Sequence, residues 1–307
     1  MNWDKDMKNF LKTTVFTAFL CAPVAANAQD TYVEDVDAGA SYEENYGNGS
    51  LKANLRKIEL KYSQNSVSNQ KEYHNSPDAS LSANEESSIA GALDFALEYQ
   101  NDAAMWTNGL QLEYGETRIK KYEGGTEKNE NADNILLYTD YAYKAWTTDY
   151  GFVGPFVWGG YETEFTSNDD APRKKTLRAK AGMKLFEGEY FKELYAALVE
   201  EYDMTYSKHS TKTAAEIGYR FEYPLRDGVK FYSDAYARKY FEYSRYNPTD
   251  FEHEVNVNAR LDIELIGNLS FAPYVNYKMA KSRAARRYGS NTSIGLSLNY
   301  KLEHLIW

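Results

Sequence analysis

The sequence predicts an all-β protein, an antiparallel up-and-down transmembrane β-barrel of about 12 strands. Three observations predict this fold. Short segments alternate apolar and polar residues, their connections alternate between long and short, and a secretory signal precedes them. Because such a barrel reverses direction at every connection, both termini lie on one side and the strand number is even.

The N-terminal segment has the features of a secretory signal peptide. Lys8 and Lys12 precede a short apolar run, and Ala26 and Ala28 occupy the two small-residue positions that a signal peptidase reads. We therefore predict a signal peptide at residues 1–28. The apolar run is shorter than the roughly 20 residues that a membrane-spanning helix needs, so no helical anchor is predicted here.

Composition narrows the class of protein further. Residues 29–50 are acidic and aperiodic, which predicts a periplasmic tail before the barrel domain at 51–307. The single cysteine, Cys21, lies in the predicted signal, so the mature chain has no thiol for disulfides or catalysis. The formal net charge of −10 argues against nucleic acid as a partner. The 28 tyrosines suit the aromatic girdles of a membrane boundary.

Alternation with period two is clearest from Glu254 to Leu265, where the odd positions are apolar and the even positions are charged or amide residues. One face of this segment suits hydrocarbon, and the opposite face would be intolerable there. Two segments, near 194–206 and 231–243, are ambiguous because tyrosines fall on both faces. The other clear segments are centred near Leu60, Phe95, Leu112, Leu137, Ala181, Tyr219, Val275 and Leu296.

Loop lengths and irregular residues complete the strand pattern. Connections after odd-numbered segments are long or charged, as in Ser66–Glu86, and those after even-numbered segments are tight, so the long loops are predicted outside the cell. Gly154 and Pro155, inside the fifth segment, predict a bulge or bend. The terminal Trp307 is out of phase with the last strand, which indicates either a second bulge near Glu303 and His304 or a short tail beyond the strand.

If the apolar positions face lipid, the alternate positions line the lumen, and their acidic and basic residues are balanced. Opposite signs fall on neighbouring strands, so in a narrow barrel they should pair, constrict the lumen and remove strong ion selectivity. This leaves two possibilities, a small, weakly selective, porin-like pore or a closed structural barrel. The predicted lumen-lining charges are Lys57, Glu59, Lys61, Asp94, Glu98, Arg178, Lys180, Lys184, Arg220, Arg260, Asp262 and Glu264.

A basic stretch near the last long loop predicts a contact with the phosphates of lipopolysaccharide through Lys281, Arg283, Arg286 and Arg287. A solvated loop is the alternative. The predicted partners are outer-membrane lipid, lipopolysaccharide and the barrel-assembly machinery. No cofactor and no metal site are predicted, because no pair of histidines has ligand spacing.

Two other functions compete with a pore. His74 and Ser76 have the two-residue spacing that puts a serine and its base on one face of a strand in lipolytic barrels, but Pro77 follows and indicates a loop. No third orienting residue can be identified, so an enzyme is not favoured. Adhesion or receptor binding through the loop Ser66–Glu86 is the remaining alternative.

The segment from Trp106 to Gly115, with Asn131–Ile135 and Tyr141–Lys144, resembles bacterial outer-membrane β-barrel proteins, nearest the families grouped with salt-induced outer-membrane proteins. This resemblance covers roughly a third of the chain and rests on motifs of strands and turns. It implies the barrel fold and a location in the bacterial outer membrane, and it assigns no catalytic residue.

Overall fold

The chain forms a closed antiparallel β-barrel of 12 long strands in the computed structural model. The structure describes residues 49–73, 76, 79–82, 86–120, 126–165, 173–245 and 247–305. The predicted signal peptide, nearly all of the predicted tail, His74 and Trp307 lie outside these residues, and those predictions stay untested.

The strands are β1 (Ser50–Ser68), β2 (Glu86–Gln100), β3 (Ala104–Lys120), β4 (Thr126–Tyr143), β5 (Trp146–Thr148), β6 (Gly151–Thr163), β7 (Lys175–Phe186), β8 (Phe191–Asp203), β9 (Ser210–Arg226), β10 (Val229–Tyr243), β11 (Phe251–Ile266), β12 (Leu269–Ser282) and β13 (Gly289–Leu305). A 3-10 turn, Gln70–Glu72, and a one-turn helix, α1 (Ala79–Ser82), lie between β1 and β2. Neither of these helical segments in the described chain is long and apolar enough to cross a membrane.

Each long strand pairs with the next one along the chain, and β1 pairs with β13 to close the ring. The three-residue strand β5 pairs with the first residues of β6, and β4 pairs with the rest of β6. The predicted up-and-down topology and strand number are therefore confirmed, since each predicted segment corresponds to one long strand.

Connections of two kinds define the two ends of the barrel. At the end that we call the long-loop end they span 69–85, 121–125, 164–174, 204–209, 244–250 and 283–288. At the opposite, short-turn end they span 101–103, 144–150, 187–190, 227–228 and 267–268, with β5 inside the longest of these. Gly228 and Gly267 have positive φ in the two tightest turns, a conformation that other residues rarely adopt.

The outer face of the barrel is apolar. Leu60 is 58% exposed and Leu296 is 49% exposed, although both lie in the middle of paired strands. An apolar surface of this extent is unusual on a soluble protein and suits hydrocarbon. Other exposed apolar residues of the strands are Ile58, Ile89, Leu97, Leu137, Val157, Met183, Leu194, Leu198, Ile217, Val275, Ile294 and Leu298.

The irregularity predicted at Gly154 and Pro155 corresponds to a break in pairing on one side of β6. β5 pairs with β6 as far as Val153 and β4 pairs with it from Phe156 onward, whereas β6 pairs with β7 without a register shift. A Cβ at Gly154 would lie 1.7 Å from the carbonyl oxygen of Tyr143. Near the C-terminal end, β13 pairs regularly through Leu305, and the irregularity lies across from it in β1, between Leu55 and Ile58.

Candidate functional site

The inner wall of the barrel consists of the alternate positions opposite the exposed apolar face. At its centre Glu216 of β9 lies in register with Arg238 of β10, which in turn lies in register with Glu254 of β11. Glu216 accepts hydrogen bonds from Lys180 Nζ at 2.5 Å and from Arg238 Nε at 2.5 Å, and Arg238 lies 3.4 Å from Glu254. We call these four residues the middle ladder.

Tyrosines complete the hydrogen bonding of the middle ladder. The Tyr195 hydroxyl donates to Glu216 at 2.6 Å, and the Tyr236 hydroxyl donates to Glu254 at 2.7 Å. The side chain of Glu216 is 0% exposed and accepts three donors, so its desolvation is offset by charge-assisted hydrogen bonds. The middle ladder therefore keeps a buried carboxylate ionised.

A second set of ion pairs lies nearer the long-loop end. Arg178 donates to Glu201 at 2.8 Å and lies 3.4 Å from Glu162. Lys212 bridges Glu201 and Asp250 at 3.6 and 3.3 Å. Lys174 donates to Glu162 at 2.7 Å, so the set has three bases and three acids on neighbouring strands and loops and carries little net field.

A third group lies toward the short-turn end, and we call it the short-turn cluster: Lys57, Glu59, Arg260, Asp262 and Lys301. Lys301 donates to Asp262 at 2.6 Å, and Lys57 donates to Glu59 at 2.6 Å. Arg260 Nε lies 3.0 Å from Asp262 Oδ1, but neither atom has a hydrogen bond of good geometry.

The other predicted lumen charges occupy separate places. Lys61 pairs with Glu113, Lys184 donates to Asp140 at 2.6 Å, and Asp94 accepts from Gln111 at 3.1 Å. Arg220 is exposed and lies 3.3 Å from Glu193, and Glu264 is exposed beside the turn at Gly228. Glu98 accepts from Arg56 at 2.9 Å.

Arg56 and Arg238 are among the basic residues that escaped the sequence prediction. Arg56 reaches the inner wall because the β1 irregularity puts both Arg56 and Lys57 on that side, and its guanidinium also donates to Tyr138 at 2.8 Å. Arg238 lies on β10, whose phase the sequence left ambiguous. The even positions of β10 carry Tyr232, Tyr236 and Tyr240, whose hydroxyl groups form hydrogen bonds on the polar inner wall. These tyrosines were the available signal that the even positions face inward.

Glycines on the inner wall leave room for aromatic rings from neighbouring strands. A Cβ at Gly109 would lie 2.2 Å from the Tyr138 ring, and a Cβ at Gly218 would lie 2.6 Å from the Tyr195 ring. Each ring therefore lies across the strand next to its own. The glycine at 218 lets the Tyr195 hydroxyl reach Glu216.

Two described parts of the first long loop lie in the mouth of the barrel at the long-loop end. Its 3-10 turn, Tyr73 and α1 form what we call the cap. Tyr73 and Leu81 are buried and pack against Ala280 and Ala285, and the Tyr73 ring lies over Gly289. Because Ala280 and Gly289 are at inward positions of β12 and β13, the cap contacts the inner wall.

Polar contacts hold the cap in place. The Tyr73 hydroxyl lies 2.9 Å from the carbonyl oxygen of Ala280, and Asn291 donates to the carbonyl oxygen of Ser80 at 2.9 Å. Glu72 accepts from the backbone N–H groups of Arg286 at 2.5 Å and Arg287 at 3.0 Å. These hydrogen bonds lower the pKa of the Glu72 carboxyl below its ordinary value, and the bond from Arg287 has the largest effect.

The basic stretch predicted to contact lipopolysaccharide is divided by these interactions. Lys281 donates to the carbonyl oxygens of Ser282 and Ala285, and Arg283 lies over the Tyr243 ring and 3.8 Å from Glu252. The side chains of Arg286 and Arg287 are exposed.

The geometry does not assemble a catalytic or metal centre in the described residues. Ser76 is described and its N–H donates to Tyr73, but His74 is not, so the hydrolase hypothesis stays a prediction. Within the same described ranges no group of three or more histidine, cysteine or carboxylate residues is arranged to hold a metal ion.

Comparisons with known proteins add the fold class. Residues 68–168, about a third of the chain, match a family model described as Protein of unknown function (DUF3078). No curated protein is similar enough in sequence to count as a relative.

Solved outer-membrane barrels are similar in structure. An outer membrane channel from Pseudomonas putida F1 has a TM-score of 0.50 at 10% identity, covering 87% of this chain and 100% of that one. The DcaP channel of Acinetobacter baumannii gives 0.41 at 8%, covering 83% and 97%, and the NalP translocator domain from Neisseria meningitidis gives 0.39 at 10%, covering 97% and 96%. The likeness to the first of these shows that the fold is that of an outer-membrane β-barrel.

Proposed function

We propose that this chain is a non-enzymatic outer-membrane β-barrel that forms a small, weakly selective passage for water-soluble solutes. One observation carries the proposal. Inward side chains remain accessible to water inside a closed barrel, because Lys301 is 33% exposed and Arg260 is 23% exposed. A barrel that only needed a dry core would gain more from apolar packing than from buried ion pairs.

The paired charges of the inner wall support the weak selectivity. In the middle ladder and in the set around Arg178, each charge is paired with a charge of opposite sign on another strand or loop. A solute in the passage is therefore close to both signs at once, and the opposing Coulomb contributions largely cancel.

The apolar outer face supports a location in the outer membrane, with the long-loop end outside the cell. Exposed Arg286 and Arg287 at that end suit the phosphates of lipopolysaccharide. Assembly in that membrane requires the barrel-assembly machinery. A folded barrel extracted from outer-membrane fractions should migrate differently before and after heating, and recovery as a soluble monomer without detergent would contradict this location.

Single-channel recording in planar bilayers tests the passage. We expect small open steps of stable size, with potassium and chloride passing at similar rates in a salt gradient. Barrel that is folded by the heating test yet gives no steps would overturn the proposal. A mock preparation from cells without the gene is the control for contaminating porins.

A further inference from the structure

The short-turn cluster differs from the other inner-wall groups in its balance of charge. It contains three bases, Lys57, Arg260 and Lys301, and two acids, Glu59 and Asp262. Two neighbouring pairs, Lys61 with Glu113 and Lys230 with Glu222, are each neutral, so the excess of one base remains. Glu222 also faces Lys301, but it is less exposed than Lys230, its own partner at 3.3 Å.

The bases of the short-turn cluster are also the groups that water reaches. Each acid in it is 7% exposed, whereas Lys57 is 24% exposed and the other two bases are comparable or more exposed. A solute inside the barrel therefore meets ammonium and guanidinium groups first, with the carboxylates behind them. The longer side chains of lysine and arginine extend past the acids that they pair with.

Polar atoms of the short-turn cluster and its neighbour β12 also lack well-formed hydrogen bonds. The Arg260 guanidinium lacks a well-formed hydrogen bond from Nε, and Ser270 Oγ, on the intervening strand β12, is buried without a hydrogen-bond partner. The ring of Tyr232 lies below the two bases, 4.6 Å from Arg260 and 4.2 Å from Lys301, which keeps their charged ends near each other. Buried donors without partners are costly unless a ligand or solvent satisfies them.

We propose that the short-turn cluster binds the carboxylate or phosphate group of a small anionic solute inside the barrel. This inference rests on the proposed passage, since the solute reaches the cluster through the lumen. The charge-assisted hydrogen bonds of Arg260 and Lys301 supply the affinity, and the carboxylates hold the bases in place.

Thermal unfolding of the purified barrel in a phosphate-free detergent tests the site without requiring conductance. Inorganic phosphate, compared with sodium chloride of equal ionic strength, should raise the midpoint by about 2 to 4 °C at several times its dissociation constant. The double substitution Arg260→Gln and Lys301→Gln should abolish the shift. Lys239→Gln, which removes an exposed lysine at an outward position of β10, is the matched control and should keep it.

Asp262→Asn distinguishes a binding role of the short-turn cluster from a purely structural role. It removes a competing negative charge but keeps an amide oxygen that can accept from Lys301, so the bases stay in place and the phosphate shift should increase. Malonate in a parallel titration distinguishes the two anion classes, and a shift with either anion supports the site. No shift with phosphate or malonate, or an equal shift in the double variant, overturns the inference. Conductance without an anion shift would refute the site alone, whereas an anion shift without conductance would refute the passage.

Discussion

The middle ladder and the short-turn cluster use the same residue types, but they differ in how completely their charges are satisfied. In the middle ladder Glu216 is fully buried and accepts donors from Lys180, Arg238 and Tyr195. In the short-turn cluster Asp262 keeps one carboxylate oxygen without a hydrogen bond, and the bases remain partly exposed. The comparison shows that ion pairs on the inner wall can either satisfy each other fully, as around Glu216, or leave charged groups accessible, as at Lys301.

The difference follows from the strands between the paired residues. Glu216, Arg238 and Glu254 lie on three consecutive strands in direct register, so each charge has a neighbour at the spacing of paired strands. Lys301 and Asp262 lie on β13 and β11, with β12 between them carrying the small residue Ala272 at an inward position. Lys180 also reaches Glu216 across an intervening strand, β8, but there the Tyr195 ring lies 5.4 Å from its ammonium group, whereas the small Ala272 leaves Lys301 accessible.

The largest expected effect is from Glu216→Ala. It leaves Lys180 and Arg238 without their buried counter-charge, and the free energy of unfolding should fall by about 3 to 5 kcal/mol. Urea unfolding in lipid vesicles, followed by tryptophan fluorescence, measures it. Glu264→Ala, at an exposed position, should change the value by less than about 0.5 kcal/mol. Equal losses in the two variants would contradict the distinction between buried and exposed charge.

A smaller loss is expected from Gly218→Ala. The added methyl group would meet the Tyr195 ring at 2.6 Å and displace its hydroxyl from Glu216. The cost of such overpacking is about 1 to 3 kcal/mol in the same unfolding measurement. Gly91→Ala is the matched control, because its Cβ would meet nothing closer than 3.9 Å. An equal loss from Gly91→Ala would show that glycines stabilise these strands for a reason other than leaving room for an aromatic ring.

Asp262→Asn should cost less than either substitution. Its partner Lys301 is a third exposed and can hydrate, so the loss in unfolding free energy should be about 1 kcal/mol or less. A loss as large as that of Glu216→Ala would show that the short-turn cluster is as closed as the middle ladder.

The smallest expected effect is the pH dependence of the cap. Because the pKa of Glu72 is lowered in the folded protein, its contribution to docking is complete above the ordinary glutamate value and is lost as pH falls through the lowered one. Amide exchange at Arg286 and Arg287, corrected for the intrinsic pH dependence of exchange, should lose protection in that acidic window. Glu72→Gln should remove the pH dependence, and an unchanged profile in this variant would exclude Glu72 as its cause.

The position of the cap cannot be predicted from the sequence of the loop that contains it. The segment Ser66–Glu86 is one of the long connections that the sequence predicts outside the cell. Tyr73 and Leu81 nevertheless become buried, because Ala280 and Gly289, more than 190 positions later, leave room for them on the inner wall. A contact between such distant segments has no local signal.

The residue pattern alone predicts the strand number, the topology and the outer face, because a lipid-facing strand must be apolar at every second residue and the chain must reverse at every turn. The pairing of the inner charges, the inward position of Arg56 and the entry of the cap into the mouth emerge from the folded barrel. These features depend on the register between strands and on one irregularity in β1. Such properties belong to pairs of segments, and the periodicity of a single segment does not contain them.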